Sequence, residues 1–225
     1  MAGPLALLGS GEFLPVMEDL DRALLDGRPG RVVHLPTAAG EEGDVRIGYW
    51  RDLAATHFRR IGVEVTTLEV LDRSGAERED LARLVSGAGM VFLSGGDPHH
   101  LTDSLRDTPV WKAIVEAWRS GAALVGCSAG AMAIAHVIPA FRKAAGDALG
   151  LIEGISVIPH YDHFGRLMKP AVRVHDRQVT LVGLDEDTAL HGGPTEWKVY
   201  GNGSVHVTGP GRHEVFSHGD HLTLP

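Results

Sequence analysis

Short apolar runs of four or five residues alternate along this chain with longer stretches in which apolar side chains recur every three or four positions. The runs predict strands buried on both faces, and the stretches predict helices that lay one face on a sheet. Leu5 to Leu8 reads as the first strand, leading through Gly9-Ser10-Gly11 to a helix in which Met17, Leu20 and Leu24 share a face and Pro15 suits the first turn. Arg31 to Leu35 predicts a second strand, Pro36 to Gly43 a loop, about Asp44 to Arg60 a helix, and Val63 to Leu68 a third strand. Arg78 to Val85 reads as a further helix and Met90 to Leu93 as the fourth strand. Asp97 and Thr108 each precede a proline, the signature of a helix cap, ahead of one helix carrying Leu101 and Leu105 and another carrying Val110, Ile114 and Trp118. Beyond Gly192, Trp197 to Tyr200, the turn Gly201-Asn202-Gly203 and Ser204 to Val207 read as a β-hairpin. Strands and helices in this alternation predict an α/β fold with a mostly parallel, doubly wound sheet. No repeat, low-complexity tract or linker interrupts it, so residues 1–225 read as one domain.

One of the apolar runs ends abruptly. Ala122 to Val125 leads into Gly126-Cys127-Ser128-Ala129-Gly130, a G-x-S-x-G turn in which a buried strand reverses into a helix and leaves the serine hydroxyl exposed at the sheet edge. The amide of Ala129 would face the same space, where it could stabilise an oxyanion. Small residues from Ala129 to Ala135 suit a helix packed closely on the sheet. Cys127, the one cysteine, is expected to point into the packing as a small hydrophobe.

Composition narrows the function classes. The chain has 225 residues, 44% of them apolar, enough for a substantial core without disulfides or metal. A net charge of −8, with Lys and Arg scattered, argues against a nucleic-acid surface. No apolar run approaches the ~20 residues needed to span a bilayer, and the first residues lack the pattern of a signal peptide. The expectation is therefore a cytoplasmic protein with neither nucleic-acid nor membrane partners.

A serine nucleophile needs a base, and the base needs a group to orient it. Thirteen histidines are available. His160 stands out, because Ile155 to Ile158 reads as a short strand and Pro159 fixes the chain just before the imidazole. For the carboxylate, Asp185-Glu186-Asp187 lies between two apolar strands, and spacing does not choose among the three. Two clusters, Asp97-His99-His100 and His160-Asp162-His163, contain residue types that zinc uses. Asp97 is accounted for as a helix cap and His160 as the base, so neither a metal nor any other cofactor is expected.

The chain resembles the family of serine peptidases that includes dipeptidase E and cyanophycinase. The resemblance rests on Gly95-Gly96 after a strand, the elbow Gly126 to Ala131, Asp147-Ala148-Leu149-Gly150-Leu151 leading to Pro159-His160-Tyr161, and Gly183 to Leu190, in the family's order over about residues 5 to 200. It implies a class I glutamine-amidotransferase-like fold, a three-layer α/β/α sandwich. It further implies Ser128 as nucleophile, His160 as base, Glu186 as the acid, and the amides of Gly96 and Ala129 as the oxyanion hole. Gly95, Asp97 and Tyr161 are the expected substrate-binding residues, acting on a short peptide or small amide in a monomer or homodimer.

The chain departs from both named members. Gly95-Gly96-Asp97-Pro98 stands where dipeptidase E carries Gly-Gly-Gly-Asn and cyanophycinases tend to carry Gly-Gly-Asp-Gln. Ile158-Pro159 before the histidine is closer to dipeptidase E. Arg166 and Arg173 are the nearest downstream arginines that a substrate carboxylate could use. The expected cleft is bordered by the loops Gly9 to Glu12 and Gly95 to Pro98 and by Tyr161 to Phe164, with Glu12 and Asp97 favouring a cationic substrate group over a carboxylate. Two other readings compete: an esterase pairing Ser128 with Asp185 and a later histidine such as His191 or His213, and a binding module that has lost turnover.

Overall fold

The computed structural model describes residues 1–140, 144–168, 179–209 and 211–225. The first half of the chain forms β1 (Leu5–Leu8), α1 (Glu18–Leu25), β2 (Arg31–Leu35), α2 (Asp44–Arg60), β3 (Glu64–Thr67), α3 (Arg73–Ala76), α4 (Glu79–Arg83), β4 (Met90–Leu93), α5 (Pro98–Leu105) and α6 (Pro109–Arg119). The elbow strand β5 (Ala123–Cys127) and helix α7 (Ala129–Ile134) follow, then β6 (Val137–Ile138), β7 (Gly146–Asp147), β8 (Ile155–Ile158) and α8 (Tyr161–Met168). The last strands are β9 (Thr180–Leu184), β10 (Thr188–Gly192), β11 (Glu196–Gly201), β12 (Val205–Gly209), β13 (Arg212–Phe216) and β14 (His221–Thr223).

Eight strands make the main sheet, in the order β14-β11-β10-β1-β5-β4-β2-β3. The five from β1 to β3 run parallel, and β10, β11 and β14 extend the sheet antiparallel. Period-two alternation gives every central strand two buried faces. Leu5, Leu7, Val33, Leu35, Val91 and Leu93 face one core with α5, α6 and α7. Ala6, Leu8, Val32, Met90, Phe92 and Val125 face the other, against Leu20 and Leu24 of α1 and Ala54 and Phe58 of α2. The result is the expected mostly parallel sheet between helical layers.

Helix starts follow the sequence signals. Asp97 Oδ1 accepts from the amides of His99 and His100 at 2.8 and 3.2 Å, and Thr108 Oγ1 from that of Trp111 at 3.3 Å, with Pro98 and Pro109 in the first turns. The helix predicted from Arg78 is α4, and it is preceded by a short helix that was not predicted, α3, which Asp72 caps by accepting from the Gly75 amide at 2.8 Å.

The C-terminal strands require a correction. The residues predicted as two arms of one hairpin lie in different sheets: β11 pairs with β10 and β14, whereas β12 pairs with β9 and β13 in a second sheet of order β13-β12-β9-β8. The turn residues bond back to the acid turn, Asn202 N to Asp187 O and Gly203 N to Thr188 Oγ1, both at 2.9 Å. That carries the chain across to the second sheet, where Val205 and Val207 are fully buried.

Candidate active site

In a parallel sheet all strand C-termini emerge at one edge, and loops there meet at the topological switch. The elbow sits at the centre of that edge, since β5 lies between β1 and β4. Ser128 adopts φ 48°, ψ −109°, and its amide donates to Leu8 O at 2.9 Å, so the turn is tied to the neighbouring strand. Both flanking glycines are required by close approach. A β-carbon on Gly126 would stand 2.6 Å from the Gly130 carbonyl, and one on Gly130 would stand 2.2 Å from Leu93 O.

His160 follows β8 and holds φ 50°, a left-handed conformation uncommon for a non-glycine residue. Its carbonyl accepts from the amides of His163 and Phe164 at 3.1 and 2.9 Å, which starts α8 and fixes the backbone. His160 Nε2 lies 3.1 Å from Ser128 Oγ, and its Nδ1 lies 2.7 Å from Glu186 Oε1. Glu186, in the β9–β10 turn, is anchored by its own amide, which donates to Asp162 Oδ1 at 3.1 Å. Its side chain is 40% exposed, so this carboxylate stands at the rim and not in a dry interior.

Gly96 takes φ 145° and presses on the next loop, for a β-carbon there would stand 2.3 Å from Ala38 O. Ala129 opens α7, so its amide is among those that a helix leaves without an intrahelical acceptor. A cavity of about 490 Å³ opens over these groups, lined by Gly96, Asp97, Ser128, His160, Met132 and Phe164 among others. Two acids that sequence reasoning missed, Glu41 and Glu42, also line it. They follow β2 at the same sheet edge, which was their one positional signal; by type they read as a solvated turn.

Other expected site residues are placed elsewhere. Tyr161 is not in the cavity lining: its ring packs over Gly183 and against His206, 4.4 Å between centroids, behind the base. Burial, with Asp185 nearby, pushes its phenol up. Gly95 is also outside the lining, and its amide donates to Glu12 Oε1 at 3.2 Å. Glu12 itself is buried and lies beneath the loops, so the cleft wall expected from Gly9 to Glu12 is supplied by Ala38, Glu41 and Glu42. Cys127 is buried as expected, yet it is not a plain hydrophobe. Its Sγ donates to Glu12 Oε2 at 2.9 Å, and burial together with that carboxylate pushes the thiol well up.

His100 Nε2 bonds Leu71 O at 2.8 Å, which turns it from the cluster with Asp97. Among the described residues, ligand atoms of Asp162, His163 and Glu186 lie within 4.8 Å of one another. All three are open to solvent, and Glu186 Oε1 already bonds His160. Arg173 and the side chain of Arg166 lie outside the described residues. Among the described residues no helix is long and apolar enough to cross a membrane.

Comparison with known proteins matches the chain to relatives. Cyanophycinase of Synechococcus elongatus is 30% identical over 194 residues, covering 80% of this chain and 59% of the relative. That of Nostoc sp. PCC 7120 is 32% identical over 169 residues, covering 68% and 56%. The chain thus spans less than two thirds of the length of these curated relatives. The crystal structure of a peptidase from an acI-B1 actinobacterium is 35% identical, with TM-score 0.92 over 100% of this chain and 98% of that one. A Listeria monocytogenes EGD-e protein assigned as a peptidase E shares the fold, with TM-score 0.65, 18% identity and coverage of 90% and 100%. The family model for peptidase family S51 matches residues 5–198, and the chain belongs to that family.

Proposed function

We propose that this chain is a serine-type peptidase that hydrolyses short peptides or dipeptide-like amides through an acyl-enzyme. The observation that carries the reading is the continuous contact from Ser128 Oγ to His160 Nε2 at 3.1 Å and from His160 Nδ1 to Glu186 Oε1 at 2.7 Å. In the tautomer this needs, Nδ1–H donates to Glu186 and Nε2 accepts the serine proton. Ser128 Oγ attacks the carbonyl carbon as His160 takes its proton, and the amides of Gly96 and Ala129 receive the negative oxygen. An oxyanion donor of this kind lowers the barrier by about 3 kcal/mol. Collapse of the tetrahedral species expels the amine with the proton from His160. Water then attacks the ester in the same way and frees Ser128.

The esterase order finds less support, since Asp185 is engaged by His206 Nε2 at 3.1 Å and His213 Nδ1 by Thr208 Oγ1 at 3.2 Å. A silent module finds less too, for both contacts that it could dispense with are present. Acidic lining favours a free amino group or a basic side chain. Glu42 is offset by Arg46 at 2.9 Å, while Glu41 stands 75% exposed, 3.6 Å from His100 Nδ1, so solvent screening keeps the preference modest.

The test is a purified protein treated with an organofluorophosphonate and assayed on Arg-X, neutral and Asp-X dipeptides. Labelling is expected at Ser128, and Ser128→Ala should lose both labelling and turnover, the latter by up to about 10⁶-fold. Arg-X should exceed Asp-X in kcat/KM by roughly tenfold. Full turnover by the alanine variant sinks the mechanism, and a strong Asp-X preference overturns the charge argument alone.

A further inference from the structure

Glu12 is a buried carboxylate packed beneath the elbow, and the mechanism above gives it no part. Its residue is 7% exposed, and its two oxygens are shared between neighbouring loops: Oε2 accepts from Cys127 Sγ at 2.9 Å and Oε1 accepts from Gly95 N at 3.2 Å. These loops end β5 and β4, and Glu12 itself follows β1. One carboxylate therefore ties together the C-terminal ends of three adjacent strands at the edge that carries Ser128. A carboxylate withdrawn from water to this degree is costly unless donors occupy its oxygens, as they do here.

We propose that Glu12 is a positioning residue for the oxyanion hole: by holding the Gly95 amide it fixes the peptide that carries the Gly96 amide beside Ser128. The inference rests on the serine-peptidase reading. Two successive glycines leave this peptide unusually free to rotate, because neither carries a side chain to restrict it. Its far side is pinned where Asp97 N donates to Ala38 O at 2.8 Å and Gly96 presses on Ala38. Its near side is pinned by Glu12. The position that a β-carbon would take on Gly95 lies 3.2 Å from Glu12 Oε1 and 3.5 Å from Ser128 Cβ, so the glycine stands between carboxylate and nucleophile. Releasing the near anchor lets the Gly95–Gly96 peptide turn its N–H away, which withdraws a donor needed only once the oxygen becomes charged.

The test compares Glu12→Ala, Glu12→Gln and Glu12→Asp with the parent enzyme in steady-state kinetics, with thermal melts alongside. Glu12→Ala should lower kcat by about 10²-fold, the lower end of what loss of one oxyanion donor costs, with KM within about twofold. Glu12→Gln, which keeps an oxygen for the Gly95 amide, should recover kcat to within about fivefold of the parent. Glu12→Asp keeps the charge but is too short to hold both loops, and should behave as the alanine variant does. A peptide aldehyde, which forms an oxyanion on Ser128, should weaken in parallel with kcat. If Glu12→Ala does not fold, Glu12→Asp against Glu12→Gln carries the same comparison. Parent-like kcat in Glu12→Ala or Glu12→Asp, a glutamine variant as damaged as the aspartate, or a loss confined to KM overturns the inference. A Ser128→Ala variant that still turns over would instead overturn the reading on which it rests.

Discussion

The three consecutive acids in the β9–β10 turn have three different occupations. Asp185 is largely buried, accepting from Ser204 N at 2.9 Å and pairing with His206 at 3.1 Å. Glu186 reaches His160, while Asp187 holds φ 53° and accepts from Asn202 N through its carbonyl. Substituting them should therefore separate chemistry from stability. Glu186→Gln is expected to lower kcat by roughly 10²- to 10³-fold, less than the ~10⁴ that loss of a buried triad acid costs, because this one is already partly solvated. Asp185→Asn should retain most of kcat but lower the melting temperature, since it weakens two contacts to β12 and its approach. Asp187→Asn should be the mildest, asparagine being at home in the left-handed region. If Asp185→Asn were instead the most harmful to kcat, the triad acid would move to Asp185. Residue order alone could not make this choice, for neighbours in an extended turn point to opposite sides and the side from which His160 arrives is a tertiary fact. Tyr161 was unreadable for the same reason: the residue after the base faces away from it.

Elements were legible where their limits are set locally. The apolar runs of β1, β2, β4 and β5 lie between turn residues, and Asp97-Pro98 and Thr108-Pro109 carry their own caps. The elbow was legible because its glycines answer to a steric need within the turn. Gly130→Ala tests that need: its methyl would stand 2.2 Å from Leu93 O, backbone that cannot rotate aside, so α7 must lift from β4. The expected cost is on the order of 2–3 kcal/mol, read from the urea midpoint, together with lost fluorophosphonate labelling of whatever fraction folds. An alanine variant of parent stability would contradict the close packing. The C-terminal pairing was not legible, because a Gly-Asn-Gly turn signals reversal without saying which strand receives the chain. Likewise Glu41 and Glu42 became cavity lining only when β2 took its place beside β4.

At the scale of the whole molecule, a sheet buried on both faces carries ionisable groups in its interior, and these couple stability to pH. His34 on β2 is fully buried between Thr67 Oγ1 at 3.1 Å and Ser94 Oγ at 3.0 Å, and burial lowers its pKa to about 3. An unfolded histidine titrates near 6.5. Above that value both states are neutral at this position and it contributes no pH dependence. As pH falls through 6.5 the unfolded chain takes up a proton that the native state refuses, so stability is lost progressively down to about pH 3. Asp21, whose buried carboxyl is pushed up by burial despite its bond to His57, acts in the opposite sense, since there the native state binds the proton more readily. By pH 5 the histidine effect amounts to about 2 kcal/mol, and Asp21 offsets part of it, because above its unfolded pKa the native carboxyl already takes up a proton that the unfolded chain does not. Urea unfolding at pH 7.5 and pH 5 reads the net of the two in the parent. In His34→Gln, which keeps a hydrogen-bonding amide but cannot take the proton, the difference between the two pH values should shrink by about 2 kcal/mol, even if the variant is less stable at both. An unchanged difference would place the acid sensitivity elsewhere in the sheet.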